Sequence, residues 1–367
     1  GGAAVLLAAA ALLAGRADPD PVRAPVAPPV TGSPVAGPPA RSAPQQVLDV
    51  AIGSDRVYAL LGSCAGPDQA RECGYRLMAQ TRGGRWTRLP LPLPAPDASS
   101  GFAARLLLTG GDTLTVLDEP HARAYVSEGG APFAVRRVRG GPPLPAGMPA
   151  GLVPEVVAGT VTVFDPATGL RRALAAQPLP GTVPRDVVAG PFGDLWAVAE
   201  PGRRVVVGHS ADGGRSWRAA AVPGLRPGLA VLSLVPGQDG TVHLLGGREG
   251  MSGVPVELAG VWWHPGTDGT WSRVGGPPGP RSVGSVAPGR SRLLFTDRTG
   301  ALWRLAPGGS FELLPDPVVD GRPVRVGPLF SGPGNRIVGL PAGDIGGALL
   351  LVSVDDGDSW LPTLLPD

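Results

Sequence analysis

Three carboxylates, Asp49, Glu155 and Asp186, each head a short apolar run, and this is the pattern in the chain that most resembles chemistry. Glycoside hydrolysis needs two carboxyl groups about 5 to 10 Å apart, one acting as acid and the other as base or nucleophile. Aligning the runs Asp49-Val50-Ala51-Ile52, Arg105-Leu106-Leu107-Leu108, Glu155-Val156-Val157-Ala158, Asp186-Val187-Val188-Ala189, Ala230-Val231-Leu232, Ser282-Val283-Gly284 and Arg325-Val326-Gly327 adds Arg105, Ser282 and Arg325 to the same column. A column of mixed charge at the heads of repeated strands predicts a polar ring where a polar ligand can bind. The plainer reading, simple solvation in a wet channel, stands beside it, because a fold alone does not make a site.

Other reactive residue types are sparse or badly spaced. His121, His209, His243 and His264 fall in different units without metal-ligand spacing, and Asp355-Asp356-Gly357-Asp358 lacks the later bidentate Glu of a calcium loop, so no metal is expected. Cys64 and Cys73 are expected to form a disulfide closing a short loop. Trp262-Trp263-His264 offers a sugar-stacking shelf, but neighbours on a strand face opposite ways, so one Trp belongs to the core. Arg136-Arg137-Val138-Arg139 and Arg203-Arg204 read as solvated strand faces, and no phosphate loop is present.

The elements that must carry these residues repeat. From Val47 onward an apolar strand, a Gly- or Asp-bearing turn and a second apolar strand recur seven times at about 47 residues, the period of propeller blades. A second register follows anchor residues after the outer turns: Trp86, Phe133, Leu170, Trp217, Trp271, Trp303 and Trp360. The third unit is short and reads as lacking a strand, which leaves six blades plus an irregular insertion as the competing count.

Two of the outer turns share a full motif, S-x-D-x-G-x-S-W. Its residues are Ser210, Asp212, Gly214, Ser216 and Trp217 in one copy and Ser353, Asp355, Gly357, Ser359 and Trp360 in the other. The Asp suits turn amides, the Gly a positive φ, and the Trp a buried anchor at the next strand. Ser127-Glu128-Gly129-Gly130 and Gly266-Thr267-Asp268-Gly269 are worn copies. The motif resembles the Asp-box (BNR repeat) of sialidase-like β-propellers, in an exported actinobacterial-type chain. With the seven repeats, that resemblance implies an all-β, seven-bladed propeller over 47–367 in which the boxes are structural. It does not extend to a sialidase site: the family's Arg-Ile-Pro motif is missing, Arg336-Ile337-Val338 being the nearest string. The only tyrosines, Tyr58, Tyr75 and Tyr125, come too early for its nucleophile.

Composition sets the remaining bounds. Of 367 residues 43% are hydrophobic and 17% charged, enough for a core, while Gly 57 and Pro 45 punctuate short strands. Every basic residue is Arg and the net charge is +2, which fits GC-rich codon usage and gives no nucleic-acid footprint. Residues 1–17 read as a truncated signal peptide or signal anchor, and 18–46 as a Pro-rich spacer. The expectation is an exported, non-enzymatic binding or scaffolding module at the cell envelope. It is expected to be a monomer without cofactor, tied to the membrane only through its N-terminal segment, with an unknown envelope protein or glycan as partner. The alternatives are a glycoside hydrolase with acids among Asp49, Glu155 and Asp186, and a membrane-complex assembly factor.

Overall fold

The computed structural model describes residues 45–64, 73–96, 101–110, 112–145, 147–199, 205–225, 229–249, 255–266, 269–274, 282–290, 292–306, 309–343 and 348–366. The expected leader at 1–17 and all but the end of the spacer at 18–46 lie outside these residues, as do Arg203, Arg204, Thr267 and Asp268. Among the described residues the chain is all β apart from a single 3-10 turn at Pro333–Asn335, and it forms seven four-stranded sheets arranged as the blades of a propeller.

Six blades are antiparallel meanders in chain order. The first contains Gln45–Ile52, Arg56–Cys64, Cys73–Thr81 and Trp86–Leu89, and the second Ala104–Thr109, Thr113–Asp118, Arg123–Glu128 and Ala134–Arg137. The fourth runs from Pro184–Ala189 to Arg218–Ala221, the fifth from Ala230–Pro236 to Ser272–Val274, the sixth from Ser285–Pro288 to Phe311–Leu313 and the seventh from Val326–Ser331 to Leu361–Leu364. A small hairpin, Val318–Val319 with Arg322–Pro323, joins the last two.

The third blade accounts for the short unit. Its own strands are Val153–Val157, Thr160–Asp165 and Leu170–Ala173, and its outer strand is the preceding segment Arg139–Gly140, which pairs in parallel with Leu170 and Arg171. The chain thus lays down this blade's outer edge before its interior. The unit lacks a strand in sequence while the blade lacks none in space, and the count is seven.

Second strands lie between two neighbours and two blade faces, so they read as unbroken apolar runs. Leu195–Ala199, for example, is buried at every position. Outer strands face water on one side and alternate or expose, as Leu361–Leu364 does. The core is divided into seven apolar clusters, one at each seam between neighbouring blades. The ring closes without a shared strand: Val50 and Ile52 of the first blade pack with Phe330, Val338 and Leu350 of the seventh. The seam between blades two and three is the thinnest, with five buried residues, among them Leu117, Val126 and Phe164, against twelve where the ring closes.

Two anchors move. Trp303 lies in the third strand of its blade, Leu302–Leu305, and the residue opening the outer strand is Phe311; Leu170 likewise opens a third strand. An apolar run with a Gly-rich turn on each side offers the same signal from either strand, and only pairing separates them. Trp86, Phe133, Trp217, Trp271 and Trp360 do stand at or just before outer strands.

Candidate functional site at the mouth of the propeller

Inner strands all start at one mouth, and several are kinked there by one extra residue. Register shifts fall between Val47 and Asp49, Pro184 and Asp186, Val231 and Ser233, and Val326 and Leu329. Such bulges re-aim the next side chain. Asp49 turns toward the second blade, where its Oδ2 accepts the Leu106 amide at 2.6 Å, while Oδ1 accepts its own neighbour's amide, Val50, at 2.8 Å. Asp186 repeats this arrangement, taking the Val187 amide at 2.8 Å and the Leu234 amide of the fifth blade. Ser285 Oγ does the same with a hydroxyl, accepting the Leu329 amide of the seventh blade at 2.9 Å.

These bonds define the true column and correct the sequence alignment. Leu106, Leu234 and Leu329 are equivalent, so the residues preceding them are too. The column holds Ser233 in place of Ala230, Ser285 in place of Ser282 and Pro328 in place of Arg325. Each of the last three assignments was displaced by three residues, because bulges and turns of different length leave no mark in an apolar run. Ser282 lies ahead of its strand, where its Oγ accepts the Arg298 amide at 3.3 Å; Arg325 also precedes its strand and pairs with Asp316 at 3.2 Å.

Arg105 and Glu155 do come together, and they recruit two residues that the alignment did not single out. Glu119, in the loop after the second strand of blade two, and Arg171, in the third strand of blade three, complete a four-membered ion cluster over the thin seam. Arg171 donates through Nε to Glu155 Oε1 at 2.6 Å and through a terminal nitrogen to Glu119 Oε1 at 2.6 Å. Arg105 spans the same two acids at 3.3 and 3.1 Å. Burial pushes the Glu119 carboxyl up, but hydrogen bonds and charge from Arg171 and Arg105 together outweigh it and hold the group below its ordinary value. Arg171, desolvated yet paired with both acids, is held above its ordinary value and also lies 5.8 Å from the Phe164 ring centre. The Glu119-Pro120-His121 loop carried no motif to mark it in the sequence.

The electrostatics of the two bulge aspartates run the other way. Desolvation pushes Asp49 up to about 6 against the amides of Leu106 and Val50 and the charge of Arg105, and burial likewise raises Asp186 against Leu234 and Val187. Each carboxylate is committed to backbone amides, and Glu155 is committed to two guanidiniums. Of the three acids singled out for glycosidase chemistry, Asp49 and Asp186 are thus bonded to backbone amides across blade seams and Glu155 to two arginines.

The S-x-D-x-G-x-S-W turns are at the opposite edge. Asp212 Oδ1 accepts the amides of Arg215 and Ser216 at 3.0 and 2.9 Å and its Oδ2 accepts the Ser216 hydroxyl at 2.7 Å, while Ser210 Oγ accepts the Gly214 amide at 2.6 Å. The Ser216 hydroxyl and amide, with Ser210 and Arg215, hold the Asp212 carboxyl far below its usual range. The second copy repeats three of these bonds from Ser353, Asp355 and Ser359, while the Asp358 amide donates to the Asp355 carbonyl at 3.3 Å in place of the side chain. Each turn presses its glycine on the preceding blade: a Cβ on Gly214 would lie 2.5 Å from Leu174, and one on Gly357 2.5 Å from Leu294. Trp217 Nε1 donates to Ala176 O of that blade at 3.0 Å; Trp360 packs over Gly339 of its own.

The remaining candidates divide. Cys64 and Cys73 form a disulfide across paired strands of the first blade. Trp262 is fully buried and donates to Pro223 O, leaving Trp263 half-buried as the only member of the pair near solvent. His209 and His264, distant in sequence, both pack on Trp196, with ring centres 4.0 and 4.8 Å away, and His121 holds Asp118 at 2.9 Å. Tyr58 and Tyr125 are core residues.

No protein-family profile and no curated protein sequence matches this chain. Solved structures do. A puromycin hydrolase aligns at 18% identity with a TM-score of 0.53, covering 88% of this chain and 53% of that one. Virginiamycin B lyase from Staphylococcus aureus aligns at 13% identity and TM-score 0.36 over 88% of this chain and 85% of its own. The GH74 xyloglucanase from Xanthomonas campestris aligns at 21% and 0.35, over 83% and 44%. Identity this low carries the fold alone.

Proposed function

We propose that the chain is an exported, non-enzymatic binding propeller of the Asp-box type, working at the cell envelope with its ligand-facing side at the mouth where the inner strands begin. One observation carries the reading: Asp49, Glu155 and Asp186 already have their oxygens engaged by amides or guanidiniums, which suits rigid blade seams and leaves no paired acid and base for hydrolysis. The disulfide supports an oxidising compartment. The two turns support the Asp-box assignment, since in both one Asp oxygen accepts the amide of the following Ser while the other takes that Ser hydroxyl.

The test pairs a glycan-hydrolysis screen of the purified chain with a pull-down of the tethered protein from its native envelope. The expected result is no turnover together with retention of a defined envelope partner or glycan. Turnover that Asp186→Asn or Glu155→Gln abolishes would overturn the reading in favour of a glycoside hydrolase; recovery with a membrane complex under construction would make the partner class an assembly intermediate.

A further inference from the structure

We propose that Arg105 and Arg171 form a carboxylate-binding site at the seam of blades two and three, and that Glu119 is a tethered occupant standing in for the carboxylate of a ligand. This deepens the binding reading above and rests on it.

The two acids on these arginines are not equivalent. Glu155 is rooted in an inner strand, its side chain is 12% exposed, and both its oxygens are engaged, Oε1 by Arg171 and Oε2 by both arginines. Glu119 belongs to a loop, its side chain is 39% exposed, and a single oxygen takes a hydrogen bond from each arginine, at 2.6 and 3.1 Å. The loop does not depend on it: His121 Nδ1 holds buried Asp118 at 2.9 Å, and the Ala122 amide closes the turn on the Glu119 carbonyl at 3.1 Å. Glu119 can therefore swing out while the loop base stays anchored.

What it leaves behind is a built receptor. Arg171 is steadied by Glu155 and by the Phe164 ring, so its planar fork is pre-set for a second carboxylate. Arg105, 37% exposed, supplies the solvent-side donor. Among its four members the cluster holds two cations and two anions with Glu119 present and one net positive charge with Glu119 displaced; Asp49, within reach of the Arg105 charge, adds negative charge that weighs further against a dianion. A monoanionic carboxylate restores neutrality, whereas a phosphate dianion overshoots it; the geometry thus selects a carboxylate such as that of a uronic acid or an acidic side chain.

The experiment titrates the full chain with glucuronate, N-acetyl-glutamate amide and inorganic phosphate by calorimetry, comparing wild type with Glu119→Gln, Glu119→Gln/Arg171→Gln and Glu119→Gln/Arg105→Gln, each checked for a native melt. Saturable binding of at least one carboxylate to wild type is expected, tightened about tenfold or more in Glu119→Gln as the competing charge is removed, and lost on neutralising either arginine. Arg105, the more exposed of the two, provides the informative variant if Arg171→Gln unfolds. The two carboxylates separate a sugar acid from a peptide acid as the source. Absence of saturable carboxylate binding to wild type, affinity unchanged by Glu119→Gln, or phosphate binding as tightly as carboxylate would each overturn the site. These failures leave the non-enzymatic reading standing, which only glycan turnover removes.

Discussion

The Asp49 carboxylate and the Leu106 amide meet at 2.6 Å across the first seam, and Asp186 repeats the contact with Leu234 three blades later. Inner strands are edges, so their outward amides lack ladder partners, and a bulged acid from the preceding blade supplies one. Replacing Asp49 with Ala strands the Leu106 amide and releases that of Val50. The expected loss is about 1 to 3 kcal/mol in urea denaturation, with Asp186→Ala similar. The double variant should be additive within about 0.5 kcal/mol, since the two sites share no partner.

The same residue gives a pH dependence with a definite sign. Burial lifts Asp49 to about 6 from an ordinary 3.8, so the native fold favours the protonated form. The stability this contributes is fully present below about 3.8 and is lost as pH rises through about 6. The stability of wild type relative to Asp49→Asn should therefore grow as pH falls from neutrality toward 4.5, by thermal melts in matched buffers. Asp212 and Asp355, held below their ordinary values, work in the opposite sense: theirs is present above the unfolded value and lost as pH falls through the folded one. A flat difference between wild type and Asp49→Asn would show that this carboxyl is not desolvated.

Gly214 and Gly357 test whether the two full motifs latch a blade to the one before it. Both have positive φ, 92° and 85°, and both would drive a Cβ to 2.5 Å from a leucine of the preceding blade. Gly214→Ala and Gly357→Ala should each cost more than about 1 kcal/mol, the backbone penalty alone, because the clash adds to it. Gly193→Ala, with positive φ but nothing within 4 Å, isolates the backbone part. Equal losses at all three positions would remove the latch.

How much of this was legible depended on whether the signal was local. The S-x-D-x-G-x-S-W turns close within eight residues, so types and spacing give both their shape and their place. The repeat was also legible, from strand starts and anchors recurring about 47 residues apart, though these left six or seven as the blade count. Bulges at Asp49, Asp186, Ser233 and Leu329 were not legible, since an extra residue in an apolar run changes no residue type, and the column slipped in the blades of Ser233 and Leu329. The outer strand of blade three was hidden because Arg139–Gly140 precedes the unit that it completes. Arg105 meets Glu119 within blade two and Arg171 meets Glu155 within blade three, but the four-membered cluster closes only where the two blades touch, which no spacing within either blade encodes.

Arg304 gives the last prediction, from unequal burial. Its guanidinium, in the third strand of blade six, donates to Glu312 of its own outer strand at 3.1 and 2.8 Å and to Asp358 in the turn of blade seven. The arginine side chain is 9% exposed, whereas the two acids are 53% and 56% exposed. Removing the cation leaves two carboxylates that water already solvates, so Arg304→Met, which keeps most of the apolar volume, should cost no more than about 1 kcal/mol. Removing both acids leaves a buried cation uncompensated, so Glu312→Ala/Asp358→Ala should cost about 3 kcal/mol or more. Urea denaturation of the two variants side by side measures the asymmetry. A larger loss for Arg304→Met than for the double variant would mean that the arginine holds the sixth and seventh blades together by packing, with its charge pairs secondary.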